Sequence, residues 1–394
     1  MKCMDRPTPS ALVNADLALR RYGDAGRVWL DGMWEADPLA DAVVDDGFGG
    51  SSATASVRAA IDGGIDSVVD APQSLRDLFA FLDDEPEWLD HDRLDRAADA
   101  LIQNSAVMGM VLGAASLVRG AGNTIAGKPL ALTGRYASEP AIRSVEVGEW
   151  LRHVISRGGM RRGGAGFEYT VRVRVIHAHV RRGIRLSGQW DDAAWGVPIP
   201  QPYMAFTIAE FGHIANEAMH GLGVRFTDRE LADIYHLWRY VGHVIGMSDA
   251  LNPHTEADHV RIEELYRLTS PGPGDDDRDF VVALTEDYLA PELANLLPGS
   301  GQMRKSLAVK LMYGLQRVFI GDADADALRL PDSRIKHVLR HAGPVLAAVG
   351  RVQRLRVTDR EAATLKAYRM RDSEMARMRA SYRVEHDLVD AAPH

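Results

Sequence analysis

Apolar residues recur along most of this chain at intervals of three and four, the spacing of one face of an α-helix. "LDRAADALIQNSAVMGMVLGAASLVRG" (94–120) predicts one long helix, apolar on nearly every face toward its end. "ASEPAIRSVEVGEWLRHVIS" (137–156) has Glu139-Pro140 in a start position and apolar Ile142, Val145, Val147 and Leu151. "MAFTIAEFGHIANEAMHGLG" (204–223) ends on glycines, as a helix cap should. "TDRELADIYHLWRYVGHVIG" (227–246) is another amphipathic helix, and Ser51-Ser52 precede a short one, "ATASVRAAID". Two further segments, 332–355 and 358–389, complete a mostly helical C-terminal third. Gly-rich breaks at 45–52, 119–129, 157–166 and 270–277 separate these elements.

One segment resists the pattern. "EYTVRVRVIHAHVRRGI" (168–184) alternates Val171, Val173 and Val175 as a strand does. Strand candidates elsewhere are few and none pairs with it, so a helix from about Phe167 to Arg182 is expected. The β-branched run opposes helix by up to about 0.7 kcal/mol per residue, which burial overrides. The chain therefore reads as all-α.

On a strand His177 and His179 would share a face and chelate one metal. On a helix they point about 200° apart and do not. The face of Val173, Ile176, His177, Val180 and Ile184 is expected to be buried, with His179 and Arg182 solvated. Arg174 and Arg181 flank His177 at i−3 and i+4. Either they form a solvated face, or beside a pocket they serve an anionic group. His213 has Glu210 at i−3 and Glu217 at i+4, which can orient its ring or simply pair with it. His236 and His243 are seven apart on one face, near Trp238 and Tyr240, and Gly242 and Gly246 permit close approach of a helix or a flat ligand. Each histidine alone reads equally as a core residue; three histidine-bearing helices within 70 residues suggest one shared pocket.

Composition narrows the picture only in places. The chain has 394 residues, 46% of them hydrophobic and 26% charged, enough for a large core. A net charge of −9 argues against nucleic acid as a partner. A single cysteine, Cys3, excludes a disulfide framework and a cysteine-rich metal site. The apolar run 106–118 is too short to span a bilayer, and the N-terminal residues show no secretory pattern, so a cytoplasmic protein without a transmembrane segment is expected. No HExxH, Walker A or dinucleotide fingerprint is present, nor the paired ExxH motifs of a di-metal bundle.

Taken in order and spacing, "VRVRVIHAHVRR", "GVPIPQPYMAFTIAEFG" and "LGVRFTDRELADIYHLWRYVGHVIGM" resemble the catalytic domain of the rubber oxygenases (latex clearing proteins), shared with the ER-bound oxygenase of mycophenolic acid biosynthesis. The likeness covers roughly 95–320. It implies a single globin-like multi-helix bundle with a buried pocket, in which b-type haem held by one axial histidine activates O2 to cleave carbon–carbon double bonds. By this resemblance Arg172 matches an arginine near the haem, and His177, Ala178, Val180 and Arg181 match the "HAxVR" block. Gln201, Met204 and Thr207 match the next helix; His236, Trp238, Gly242, His243 and Gly246 match the last motif.

Two departures stand out. The family's Lys-Thr pair is replaced by Val175 and Ile176, and its axial histidine falls near Ala209. His213, one turn and about 6 Å further, keeps that face if the helix is regular. The axial ligand is therefore left among His177, His213 and His243. Arg172, Arg174 and Arg181, with Thr207, Trp238 and Gly242, are the expected cofactor contacts, and Arg172, Glu168 and Glu210 the expected catalytic groups. Val175, Ile176, Met204, Phe206 and Trp238 are the expected pocket walls. The expected division is 1–94 as a helical extension packed on the core, 95–320 as the catalytic core and 321–394 as helices completing it. The function expected is a haem b-dependent oxygenase that takes O2 and an apolar, isoprenoid-like substrate. A non-enzymatic haem or isoprenoid carrier shares every one of these features.

Overall fold

The computed structural model describes residues 6–46, 51–132, 134, 139–348 and 359–384; Cys3 and the ends of several expected segments lie outside them. The described residues form helices and no strand, so the fold is all-α.

The segment that resembles a strand is the central helix, Ala165–Ser187, longer than expected by a turn at its C-terminal end. Its buried stripe is Phe167, Val171, Arg174, Val175, Ala178, Arg181 and Ile184. This corrects the expected face: Val173, Ile176 and Val180 are only partly buried, and two arginines take the deep positions. The helix Pro38–Asp45 crosses those arginines, and Pro140–Val154 packs on another side. Asp37 caps the former by accepting from the Ala40 N–H at 3.3 Å, with Pro38 in the first turn.

Asp228–Val244 begins on a capping box in which Thr227 and Glu230 satisfy each other's backbone N–H groups. It lies against His91–Ile102, where Arg93 and Arg96 both hold the buried Asp233, at 2.8 and 2.7 Å. The expected helix 94–120 is two, His91–Ile102 and Ser105–Gly120, bent by 80°. At the break the Asn104 side chain donates to the Ala100 carbonyl, and Gln103 turns to Thr364. Among the described residues no single helix is long and apolar enough to cross a membrane, and only that bent pair passes by length and composition.

Residues 201–221 run as one rod in three pieces: α-helical Gln201–Ala209, a π-helical turn Glu210–Ile214, and α-helical Ala215–Gly221. The π-turn faces a second π-turn, Leu112–Leu117, and Ser116 Oγ donates to the Glu210 carbonyl at 2.8 Å. Glu256–Thr269 covers the other side of the rod. The main apolar core runs from Leu12 to Tyr266, so the N-terminal helices share it with the central ones. A second cluster joins 114–121 to 280–330, and a third docks Arg360–Tyr382 onto Pro140–Val154. The expected single helix over 332–355 turns at 340–342, after the short Ile335–Leu339.

Candidate functional site

A buried ion pair lies at the centre of the site. Arg174 Nε and Nη2 donate to the two Asp37 carboxylate oxygens at 2.6 and 2.9 Å, and Nη1 donates to the Val244 carbonyl at 3.2 Å. Both residues are nearly sealed from solvent. Two helical turns on, Arg181 donates to Asp41 at 2.7 Å. Gly246, with φ +93°, permits this arrangement, because a Cβ there would collide with Asp37 Oδ2 and Arg174 Nε. Gly242 likewise admits Asn252. The expected close approach is real at both glycines, but protein groups make it.

Beside the ion pair lies a cavity of no more than about 210 Å³, lined by Asp37, Arg174, His177, Arg181, Gln201, Met204 and their neighbours Ile199 and Ile245. Gln201 is held rigidly, donating to the Ala36 and Gly246 carbonyls at 2.8 and 2.9 Å and accepting from the Ser248 N–H at 3.0 Å. His177 faces this space with an enclosed Nδ1 that has no hydrogen-bond partner. Burial, then the Arg181 charge, pushes its pKa down to about 4, so the ring is neutral at pH 7.

The other expected site residues lie elsewhere. Arg172 points toward Asp62, 3.7 Å away, and over the Tyr169 ring. Glu168 sits near Arg172, its pKa raised first by burial. Thr207 is exposed and donates back to the Tyr203 carbonyl of its own helix, which removes it from any pocket. His243 stacks on Phe81 at 4.6 Å. His236 accepts from the Asp90 N–H at 3.1 Å, a core role. His179 is half-buried rather than solvated. Trp238 is fully buried in a stack with Phe211, 5.1 Å between centroids, and Trp150, 6.1 Å.

A second polar cluster surrounds His213. Its Nε2 lies 3.9 Å from Glu217 Oε2 and 3.8 Å from Glu263 Oε2, and its Nδ1 is enclosed without a partner. Glu263 also pairs with Arg119 at 3.1 Å. Because Glu210–Ile214 is π-helical, the step from Ala209 to His213 is not one α-turn. Glu210 is buried against Gly120, and burial holds its pKa well above the usual carboxylate value. Asp37, Asp41, Glu263 and His259 were not legible as site residues. Asp37-Pro38 reads as a helix start, but its partner is 137 residues away.

Three buried imidazoles make stability depend on pH. Burial, reinforced by Arg181, Arg93 and His213 respectively, lowers His177 to about 4, His236 to about 4 and His259 to about 3, against an ordinary 6.5. Between those values only the unfolded chain takes up protons, so the stability present above pH 6.5 is lost as pH falls toward 4. Glu210, its pKa raised by burial, works in the opposite direction. The urea midpoint is therefore expected to drop between pH 7.5 and 5; a constant midpoint contradicts the burial of these rings.

The family described as "ER-bound oxygenase mpaB/B'/Rubber oxygenase, catalytic domain" matches residues 102–355. The rubber oxygenase of Streptomyces sp. (strain K30) is 26% identical over 250 residues, 59% of this chain and 56% of that protein, so the match spans little more than half of that relative. The solved structure of latex clearing protein in the closed state superposes with a TM-score of 0.58 at 18% identity, covering 86% of this chain and 91% of that one. That likeness concerns the fold.

Proposed function

The chain belongs to the family of ER-bound oxygenase and rubber oxygenase catalytic domains, and from that premise we propose that it is an oxygenase that uses O2 on a small, apolar, unsaturated substrate of isoprenoid type. The observation that carries the proposal is the family match across 102–355, which contains every residue lining the His177 cavity except Ala36 and Asp37. Met204, Ile199 and Ile245 give that cavity an apolar side. His177 is neutral at pH 7 and its Nδ1 has no hydrogen-bond partner, while Gln201 and the Arg174–Asp37 pair keep the wall rigid.

Haem b is the cofactor that the resemblance implies, and the described residues do not fit it. The cavity beside His177 is too small for a macrocycle. Arg174 and Arg181, the expected propionate anchors, are already engaged by Asp37 and Asp41. Ala209, at the family's ligand place, is fully buried and offers no donor. No step is therefore derived through a haem.

A pyridine haemochrome assay on the purified protein is expected to find b-type haem far below one per chain. A near-stoichiometric Soret complex would show that the helices part around His177. The activity itself is tested by O2 uptake with squalene and shorter isoprenoids, in the presence of Fe2+, Mn2+ or added haemin. Uptake with carbonyl products, lost in His177→Ala, is the expected result. No uptake under any of these conditions would overturn the oxygenase reading.

A further inference from the structure

We propose that His213, Glu217 and Glu263 form a binding site for one divalent first-row transition metal ion, distinct from any haem. The three ligand atoms lie within 4.8 Å of one another. At 3.8 and 3.9 Å, the imidazole-to-carboxylate distances are too long for hydrogen bonds. Two ligands each about 2.1 Å from a cation stand roughly 3.0–3.5 Å apart, so the two imidazole–carboxylate pairs need a few tenths of an ångström of closure and the exposed Glu217 carboxylate supplies the rest by rotation. His213 and Glu263 are mostly buried, and Glu217 is exposed at the rim, which leaves part of the coordination sphere open to solvent or a small ligand.

Two features separate this cluster from an ordinary surface ion pair. His259 lies one turn before Glu263 on the same helix, is completely buried, and has no hydrogen bond at either ring nitrogen. Its ring packs where a Cβ of Gly212 would be and against Tyr235, so glycine at 212 lets this second imidazole lie against the π-turn that carries His213. The π-turn Glu210–Ile214 is the second feature. It sets His213 toward Glu263 of the neighbouring helix, and such turns are frequent at functional sites. Arg119 holds the outer oxygen of Glu263, leaving Oε2 toward His213. One imidazole and two carboxylates with open positions suit Fe2+, Mn2+ or Zn2+ better than Ca2+ or Cu+.

The site stands whether or not the protein is an oxygenase, and its test uses neither substrate nor O2. Chelator-stripped full-length protein is titrated with Co2+, following the visible absorption bands of the bound ion and the metal content after desalting. One Co2+ per chain is expected, with at least tenfold weaker binding in His213→Asn, Glu263→Gln and Glu217→Gln. Glu217 is exposed, so its variant stays folded and keeps the test decisive if a buried substitution does not fold. His254→Asn, exposed on a loop, is expected to bind as the parent does. Failure to bind Co2+ at millimolar concentration, or equal binding by parent and Glu217→Gln, overturns the proposal.

Discussion

Asp37→Ala is expected to lower stability by about 3–5 kcal/mol, the cost of leaving a buried charge without its partner. Arg174 is 2% exposed, and nothing else near it bears a negative charge at hydrogen-bond distance. The same substitution removes the cap of Pro38–Asp45, adding about 1 kcal/mol. Asp37→Asn separates the two effects, because an amide still caps the helix but cannot neutralise the guanidinium. Its loss in urea unfolding is expected to lie close to that of Asp37→Ala. Two variants near the parent would mean that the pair is hydrated and the cavity wall is soft. Replacing the pair together, Asp37→Leu with Arg174→Met, is expected to recover most of the loss, since apolar replacements of buried ion pairs are often neutral.

Trp238→Ala is the second large effect, at about 3–5 kcal/mol. The side chain is completely buried between the Phe211 and Trp150 rings, so truncation leaves a void and removes the stacking. Trp238 Nε1 has no acceptor, so Trp238→Phe keeps a ring in the stack and deletes an unpaired donor. That variant is expected to cost less than half as much. A loss under about 1.5 kcal/mol in Trp238→Ala would place it among ordinary substitutions and show that the rings do not fill the space densely.

The periodicity of apolar residues was enough to establish the helical class and most helix starts, because caps such as Thr227 and Asp359 act locally. The strand-like valines of the central helix were correctly overruled for want of a partner. What local sequence could not carry was charge neutralisation across the fold. Arg174 and Arg181 look like a solvated face until Asp37 and Asp41 arrive from another helix, and only then can they turn inward. The break at Asn104 was equally hidden, since the apolar pattern continues through it and only the side-chain bond to Ala100 marks the bend. His177 and Met204 met at one cavity as expected, whereas Thr207 and His243 carry the right residue type on the wrong face.

The π-turn at Glu210–Ile214 bears on how relatives are compared with this chain. The Ala215 N–H reaches back to the Glu210 carbonyl, five residues rather than four, so the turn behaves as a one-residue insertion absorbed without a loop. An ungapped alignment through it therefore pairs letters correctly on one side and assigns side chains to the wrong azimuth on the other, by about 100°. A ligand position carried over from a relative without that insertion lands on a neighbour of the residue that occupies the equivalent direction. A one-residue shift moves the family's ligand place from Ala209 only as far as Glu210, so His213, four residues on, is not brought there by moving a gap.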